Sequence, residues 1–81
     1  MTHVVHAVID GRERYYAGYT AEGIADAEIN WQVTITNRVL YDKDTAERIA
    51  SNLRQWGWAV VANPIHERIG PRGGKHIEVA P

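Results

Sequence analysis

Four histidines, His3, His6, His66 and His76, are the first residues of this 81-residue chain that could do chemistry, because imidazole binds metals and moves protons near neutral pH. Their spacing argues against a shared site. His3 and His6 stand three apart in a stretch of strand character, where side-chain alternation sends the two rings to opposite faces. His66 and His76 could meet across a hairpin. Two imidazoles with no placed third ligand, in a chain without cysteine, fall short of a zinc site. No metal and no other cofactor is expected.

The remaining reactive groups fare no better. Gly70-Pro71-Arg72-Gly73-Gly74-Lys75 has the look of a phosphate loop, but Ile69 stands where its first glycine belongs, and Lys75 is followed by His76 instead of Ser or Thr. The segment is better read as a cationic turn whose Arg72 and Lys75 could touch phosphate or carboxylate groups. Ser51, the one serine, has no histidine within a helical turn, and Asp42 and Asp44 are accounted for as helix caps. The expectation is a protein that binds, not an enzyme.

Aromatic residues carry what binding signal there is. Three Trp and four Tyr, with no Phe, are rings with a polar handle, favoured at interfaces as well as at core edges. Trp31 and Tyr41 fall on core periodicity. Tyr16, together with Trp56 or Trp58 on either side of Gly57, is hardest to bury in so small a core, so Tyr16 and Trp58 are candidate partner-binding residues.

The elements that must position these groups follow from local pattern. Residues 2–19 are strand-prone and split by Asp10-Gly11, which predicts a hairpin. A long loop would gather Val4, Val8, Tyr15, Ala17 and Tyr19 on one face with Tyr16 pointing away; a two-residue loop would pair Ile9 with Arg12. The first register is preferred because it collects the apolar side chains. Residues 20–30 read as an acidic loop with at most one helical turn. Residues 31–36 alternate strictly, with Trp31, Val33 and Ile35 against Gln32, Thr34 and Thr36, predicting a strand. Residues 39–41 are a short strand or the lead-in to a helix at about 43–56. That helix is capped by Asp42 or Asp44, has Ala46, Ile49, Ala50, Leu53 and Trp56 on its apolar stripe, and is stopped by Gly57. A short buried strand at 58–62, ended by Asn63-Pro64, and a hairpin of 65–69 with 76–80 complete the chain. The order β-β-β-α-β-β predicts a single α+β domain over residues 1–81, with an antiparallel sheet and one main helix.

Charge and composition limit the partners. With 44% hydrophobic and 23% charged residues the chain has the profile of a globular protein. The short apolar run near Met1 lacks a basic region before it, so neither a signal peptide nor a membrane span is expected, and a cytoplasmic location is. The net charge of −1 hides an asymmetry. Residues 1–47 carry four bases against eight acids, a balance of −4, and residues 48–81 five against two, a balance of +3.

Two resemblances follow. Trp31, Ile35, Val39, Tyr41, Ala46, Ile49, Ala50 and Leu53, within residues 15–62, are similar to a pattern of small bacteriophage and mobile-element α+β proteins: a hairpin, a Trp, an aromatic before the cap, an Ala-x-x-Ile-Ala-x-x-Leu helix and a strand. That resemblance implies an accessory protein that binds or inhibits a host protein. The chain departs from the pattern in its longer alternation at 31–36 and its added C-terminal hairpin. Three strands followed by a helix also resemble the amino-terminal DNA-binding domain of phage-type integrases. This implies a sheet laid in the major groove, presenting Arg12, Arg14, Tyr16 and Arg38, with phosphate contacts from Arg72 and Lys75. Glu22, Asp26 and Glu28 weigh against nucleic acid. A host protein is the expected partner, DNA the alternative, no membrane is involved, and a homodimer is compatible with the thin core of a chain this short.

Overall fold

The computed structural model describes residues 1–19 and 28–80. Strands β1 (His3–Ile9) and β2 (Arg12–Tyr19) form the first hairpin, in which Ile9 pairs with Arg12 and Val8 with Glu13. The turn is therefore the two-residue Asp10-Gly11, not the longer loop, and the reason lies in the backbone. Both residues take positive φ, 53° and 79°, the combination whose twist matches that of the flanking strands. The shorter turn changes which residues face together. Val5, Ala7 and Ile9 lie on one face with Tyr16, which is 9% exposed. Tyr16 thus points into the core, and Tyr15 away from it.

β3 (Ile29–Gln32) pairs with β2 through Tyr16 and Trp31 and through Tyr15 and Gln32, with a bulge between Tyr16 and Tyr19. It ends at Gln32, shorter than the alternation to Thr36 predicted. Among the described residues no strand pairs with 33–36. The chain turns back there into a 3₁₀ turn (Asn37–Val39) that packs against β2, and Tyr41 then bridges to His3. Val4 and Val39 are both fully buried outside the main core cluster, so this end of β1 is covered on both faces.

Helix α1 (Lys43–Gln55) is built as its sequence predicted. The Asp42 carboxylate accepts from the Thr45 backbone N–H at 2.7 Å and from the Thr45 hydroxyl at 3.0 Å, satisfying donors left open by the first turn. Ala46, Ala50 and Leu53 are buried against Val5, Ala7, Tyr16 and Val60, with Ile49 at the margin. The stripe stops one residue short of the prediction. Gly57, at φ 96°, closes the helix by donating to Arg54 O at 3.0 Å, and Trp58 N–H donates to Leu53 O at 3.0 Å, the paired bonds of a left-handed helix stop. Trp56 falls at the cap, outside the helical phase, and is 83% exposed.

β4 (Val61–Ile69) is one continuous strand, where a break at Asn63-Pro64 was expected. Its first part pairs with β1 and its second with β5 (Lys75–Val79), the handover falling at Pro64. Proline is tolerated at that point because its carbonyl accepts from Ala80 N–H beyond the end of β5, where a missing donor costs little ladder. The result is a five-stranded antiparallel sheet, β3-β2-β1-β4-β5, with α1 on one face. The fold is α+β in the order β-β-β-α-β-β. No helix among the described residues is long and apolar enough to cross a membrane. Of the acidic loop predicted at 20–30, residues 20–27 lie outside the described residues, while Ile29 and Asn30 belong to β3 and are strand, not loop.

Candidate functional site

The face of the sheet opposite α1 is where polar and apolar groups meet in the open. Strand register sets one row across it, since Gln32 pairs with Tyr15, Tyr15 with His6 and His6 with Val61. His6 is the centre of that row. Its Nδ1 meets the Glu13 carboxylate, and its Nε2 lies 3.0 Å from Asn63 Nδ2. An ionised carboxylate only accepts, so Nδ1 carries the proton and Nε2 accepts from the Asn63 amide. Both ring nitrogens are thereby occupied. A histidine held this way has no free lone pair with which to take a proton from a substrate, and its physical role is to lock three strands together. Tyr15, its ring 6.3 Å from that of His6, has its hydroxyl pKa raised by burial and then by the charge of Glu13.

Around this polar centre the surface is aliphatic. Val61, beside His6, is 46% exposed, and Val8, opposite Glu13, is 67% exposed. Tyr15 also lines an open cleft of about 400 Å³. One set of its lining residues is Val33, Thr34 and Ile35, which follow β3; the other is Lys75, His76 and Ile77 of β5. The outer part of the β4–β5 ribbon carries its own ion pairs: Glu78 accepts from Arg68 at 3.1 Å and from His66 at 3.3 Å. Those bonds, Arg68 foremost, hold the Glu78 carboxyl below the usual range.

The structure scatters the sequence-selected residues. Tyr16 is a core residue, packed edge-on to Trp31 at 6.2 Å and tilted against Tyr41 at 6.1 Å. Trp58 lies on Trp31 at 5.4 Å and keeps an exposed edge. Arg12 and Arg14 share the helix-side face of β2 with Tyr16, so the three cannot be laid together in a groove as an open sheet would be. Arg14 is tied back by a 3.0 Å bond to the Glu13 carbonyl, and Arg38 is exposed on the 3₁₀ turn. Arg72 and Lys75 are both exposed, Arg72 in the ribbon turn and Lys75 at the start of β5. His66 and His76 do not combine: His66 binds Glu78, and His76 packs beside Gly70. Among the described residues no group of three His, Cys, Asp or Glu could hold a metal ion.

Sequence reasoning missed Glu13, His6 and Asn63 as a unit. The signal lay in the two-residue reading of Asp10-Gly11, which sets Glu13 opposite Val8 and so diagonal to His6. In comparisons with known proteins the chain matches no family model, no curated protein and no solved structure. Its function is therefore read from its own residues.

Proposed function

We propose that this chain is a small, non-catalytic binding module whose partner is a protein, engaged through the sheet face opposite α1. One observation carries the reading: that face leaves Val8 and Val61 in water around a fully satisfied polar centre, and Val33 and Ile77 line the cleft beside it. Single exposed aliphatics are ordinary. Several on one face, set around fixed hydrogen-bonding groups, are the composition of an interface. The aromatic argument for binding moves in consequence, since Tyr16 is internal and Trp56, at the far end of α1, is the most exposed of the described aromatics, ahead of Tyr19 and Trp58. A host protein is the partner that the resemblance to phage accessory proteins implies, and a second copy of the chain is the other candidate.

DNA remains the second reading because of one feature, the exposed Arg72 and Lys75 at the turn of a two-stranded ribbon, an element of a width that enters a major groove. The test separates the two. Tagged chain is expected to retain a definite polypeptide, and Val8→Asp and Val61→Asp, folded by circular dichroism, to lose it. Retention of oligonucleotide that weakens steeply with salt and is abolished by Arg72→Ala and Lys75→Ala, with no polypeptide retained, would refute the proposal.

A further inference from the structure

We infer that the outer edge of β5 pairs with β5 of a second copy of this chain, antiparallel and two-fold symmetric about Ile77, joining two five-stranded sheets into one. The surface is a strand edge, separate from the open face, so it does not rest on the protein-binding reading. β5 is the last strand in the order and pairs with β4 alone. Gly70 N–H bonds Gly74 O and Ala80 N–H bonds Pro64 O, so even-numbered residues of this ribbon turn their backbone groups inward. Lys75, Ile77 and Val79 therefore aim theirs outward, and among the described residues no strand pairs with them there. The ribbon also outruns the rest of the sheet. Ile65 N–H reaches Thr2 O, and beyond it β4 has only β5 beside it among the described residues. The outer ribbon is thus a two-stranded arm, with Ile69 80% and Ile77 40% exposed. Two strands by themselves are marginal in water, and a second ribbon alongside supplies the missing neighbours.

The sequence of β5 is complementary to itself, which is why a second copy is the occupant. With the axis at Ile77, Lys75 pairs with Val79 of the second copy and His76 with its Glu78, and the same pairs recur on the other side of the axis. An imidazole thus meets a carboxylate twice, in the closer, non-hydrogen-bonded kind of antiparallel pair. Glu78 is able to accept it, because Arg68 and His66 both bond its Oε1 and leave Oε2 open. The two Ile77 side chains meet across the axis as an aliphatic pair. Neighbouring symmetric registers are worse: an axis at Glu78 sets carboxylate against carboxylate, an axis at His76 sets imidazole against imidazole, and each drops one of the three outward residues from the strand ladder. Lys75, the kind of residue that guards natural edges against indiscriminate pairing, falls at the end of the ladder, where its ammonium stays in water. An interface of one strand edge is small, so the dimer forms reversibly.

Sedimentation velocity on the full chain, from about 1 µM to about 1 mM, tests this over the range of Kd expected for so small an interface. A concentration-dependent monomer–dimer equilibrium is expected. Ile77→Pro should weaken it by about tenfold or more, because the N–H it removes points outward, so the pairing of β4 with β5 survives. His76→Glu should weaken it similarly by setting like charges opposite each other, whereas His76→Lys should preserve it. Cysteine substitution reads the register directly, since the chain has no cysteine of its own. Ile77→Cys should form a disulfide-linked dimer on mild oxidation, its Cα atoms lying about 5.5 Å apart in a hydrogen-bonded pair, and Lys75→Cys, four residues out of register with its own copy, should not. If Ile77→Pro loses its folded circular dichroism, the His76 variants and the cross-linking pattern decide. A chain monomeric throughout the range overturns the inference, as does a dimer that Ile77→Pro and His76→Glu leave intact. So does a dimer lost in Val8→Asp and Val61→Asp alone, which would place the second copy on the open face. Retention of a partner polypeptide by a monomeric chain overturns the dimer and leaves the protein-binding reading standing, whereas a dimer that retains no polypeptide does the reverse.

Discussion

Replacing Tyr16 by alanine distinguishes a core ring from a surface anchor. A buried aromatic removes roughly 150–250 Å² from water, worth about 25 cal/mol per Å². With 9% of Tyr16 exposed, about nine-tenths of that area is lost on truncation. This sets an upper figure of about 3.5–5.5 kcal/mol, which falls to roughly 2–5 kcal/mol once the residual burial of a denatured chain is allowed for. Contacts with Trp31 and Tyr41 place the cost toward the upper half, near the ~3–5 kcal/mol usual for aromatic-to-alanine changes in cores. An 81-residue domain holds only about 4–12 kcal/mol in total. Tyr16→Ala should therefore lose a large share of the fold's stability. Urea unfolding followed by tryptophan fluorescence and far-ultraviolet circular dichroism measures it, with m near the low end of ~1–3 kcal/mol per molar for so small a chain. The midpoint should drop by about 2 M or more, or no folded baseline should remain. Trp56→Ala, a larger truncation at a site 83% exposed, is the control and should stay within about 0.5 kcal/mol. Equal midpoints for the two variants would refute the assigned register of the first hairpin.

Leu53→Ala should cost about 2–4 kcal/mol, because Leu53 is buried between α1 and the sheet, whereas Gln55→Ala on the open side of the helix should cost under about 0.5 kcal/mol; comparable denaturation midpoints would show that the helix phase is wrong. Burial, and secondarily Tyr16, push the Tyr41 hydroxyl up to about 12, so the folded state disfavours its ionisation. Stability is then intact below the unfolded value near 10 and declines as pH rises through about 12. Tyr41→Phe should flatten that alkaline slope in part, since Tyr15 and Tyr16 are raised too, and an unchanged slope would dismiss the assignment. Asp42→Asn should remove part of the acid sensitivity: the bonds from Thr45 lower the Asp42 carboxyl pKa, so its contribution is present above the unfolded value and lost as pH falls through the folded one. Chelator should leave the melting curve unchanged, and one equivalent of zinc by elemental analysis would contradict the histidine geometry.

Helix α1 was legible because its signals are local. Asp42 at one end, Gly57 at the other and Ala46, Ala50 and Leu53 between them each act within a few residues, so little outside the helix could override them. The class and order of the elements were legible for the same reason. Strand limits were not, since alternation shows that a segment can be a strand without showing that a neighbour exists to pair with it. Residues 33–36 have the pattern and, among the described residues, lack the neighbour. Asn63-Pro64 has the residues of a break, yet stays in β4 because the chain on either side is held by different partners, β1 before it and β5 after it.

The candidate site turned on a single local choice. At Asp10-Gly11 an argument from collecting apolar side chains favoured a long loop, whereas two positive-φ residues in succession already satisfy the turn a two-residue hairpin needs. Each register assigns alternate residues to opposite faces, so this choice decided whether Tyr16 or Tyr15 meets solvent. With the short turn, Arg12, Arg14 and Tyr16 go beneath or beside α1, and His6, Val8, Glu13 and Tyr15 come to the open face. The cost of leaving Val8 in water is small, about the burial of one aliphatic side chain, and is outweighed by placing Tyr16 in the core. Val8 and Val61 are exposed on strands β1 and β4, and Val33 is exposed just past the end of β3. Val8 and Val61 lie on the side of the sheet that α1 does not cover, which is the physical reason to look for a partner there.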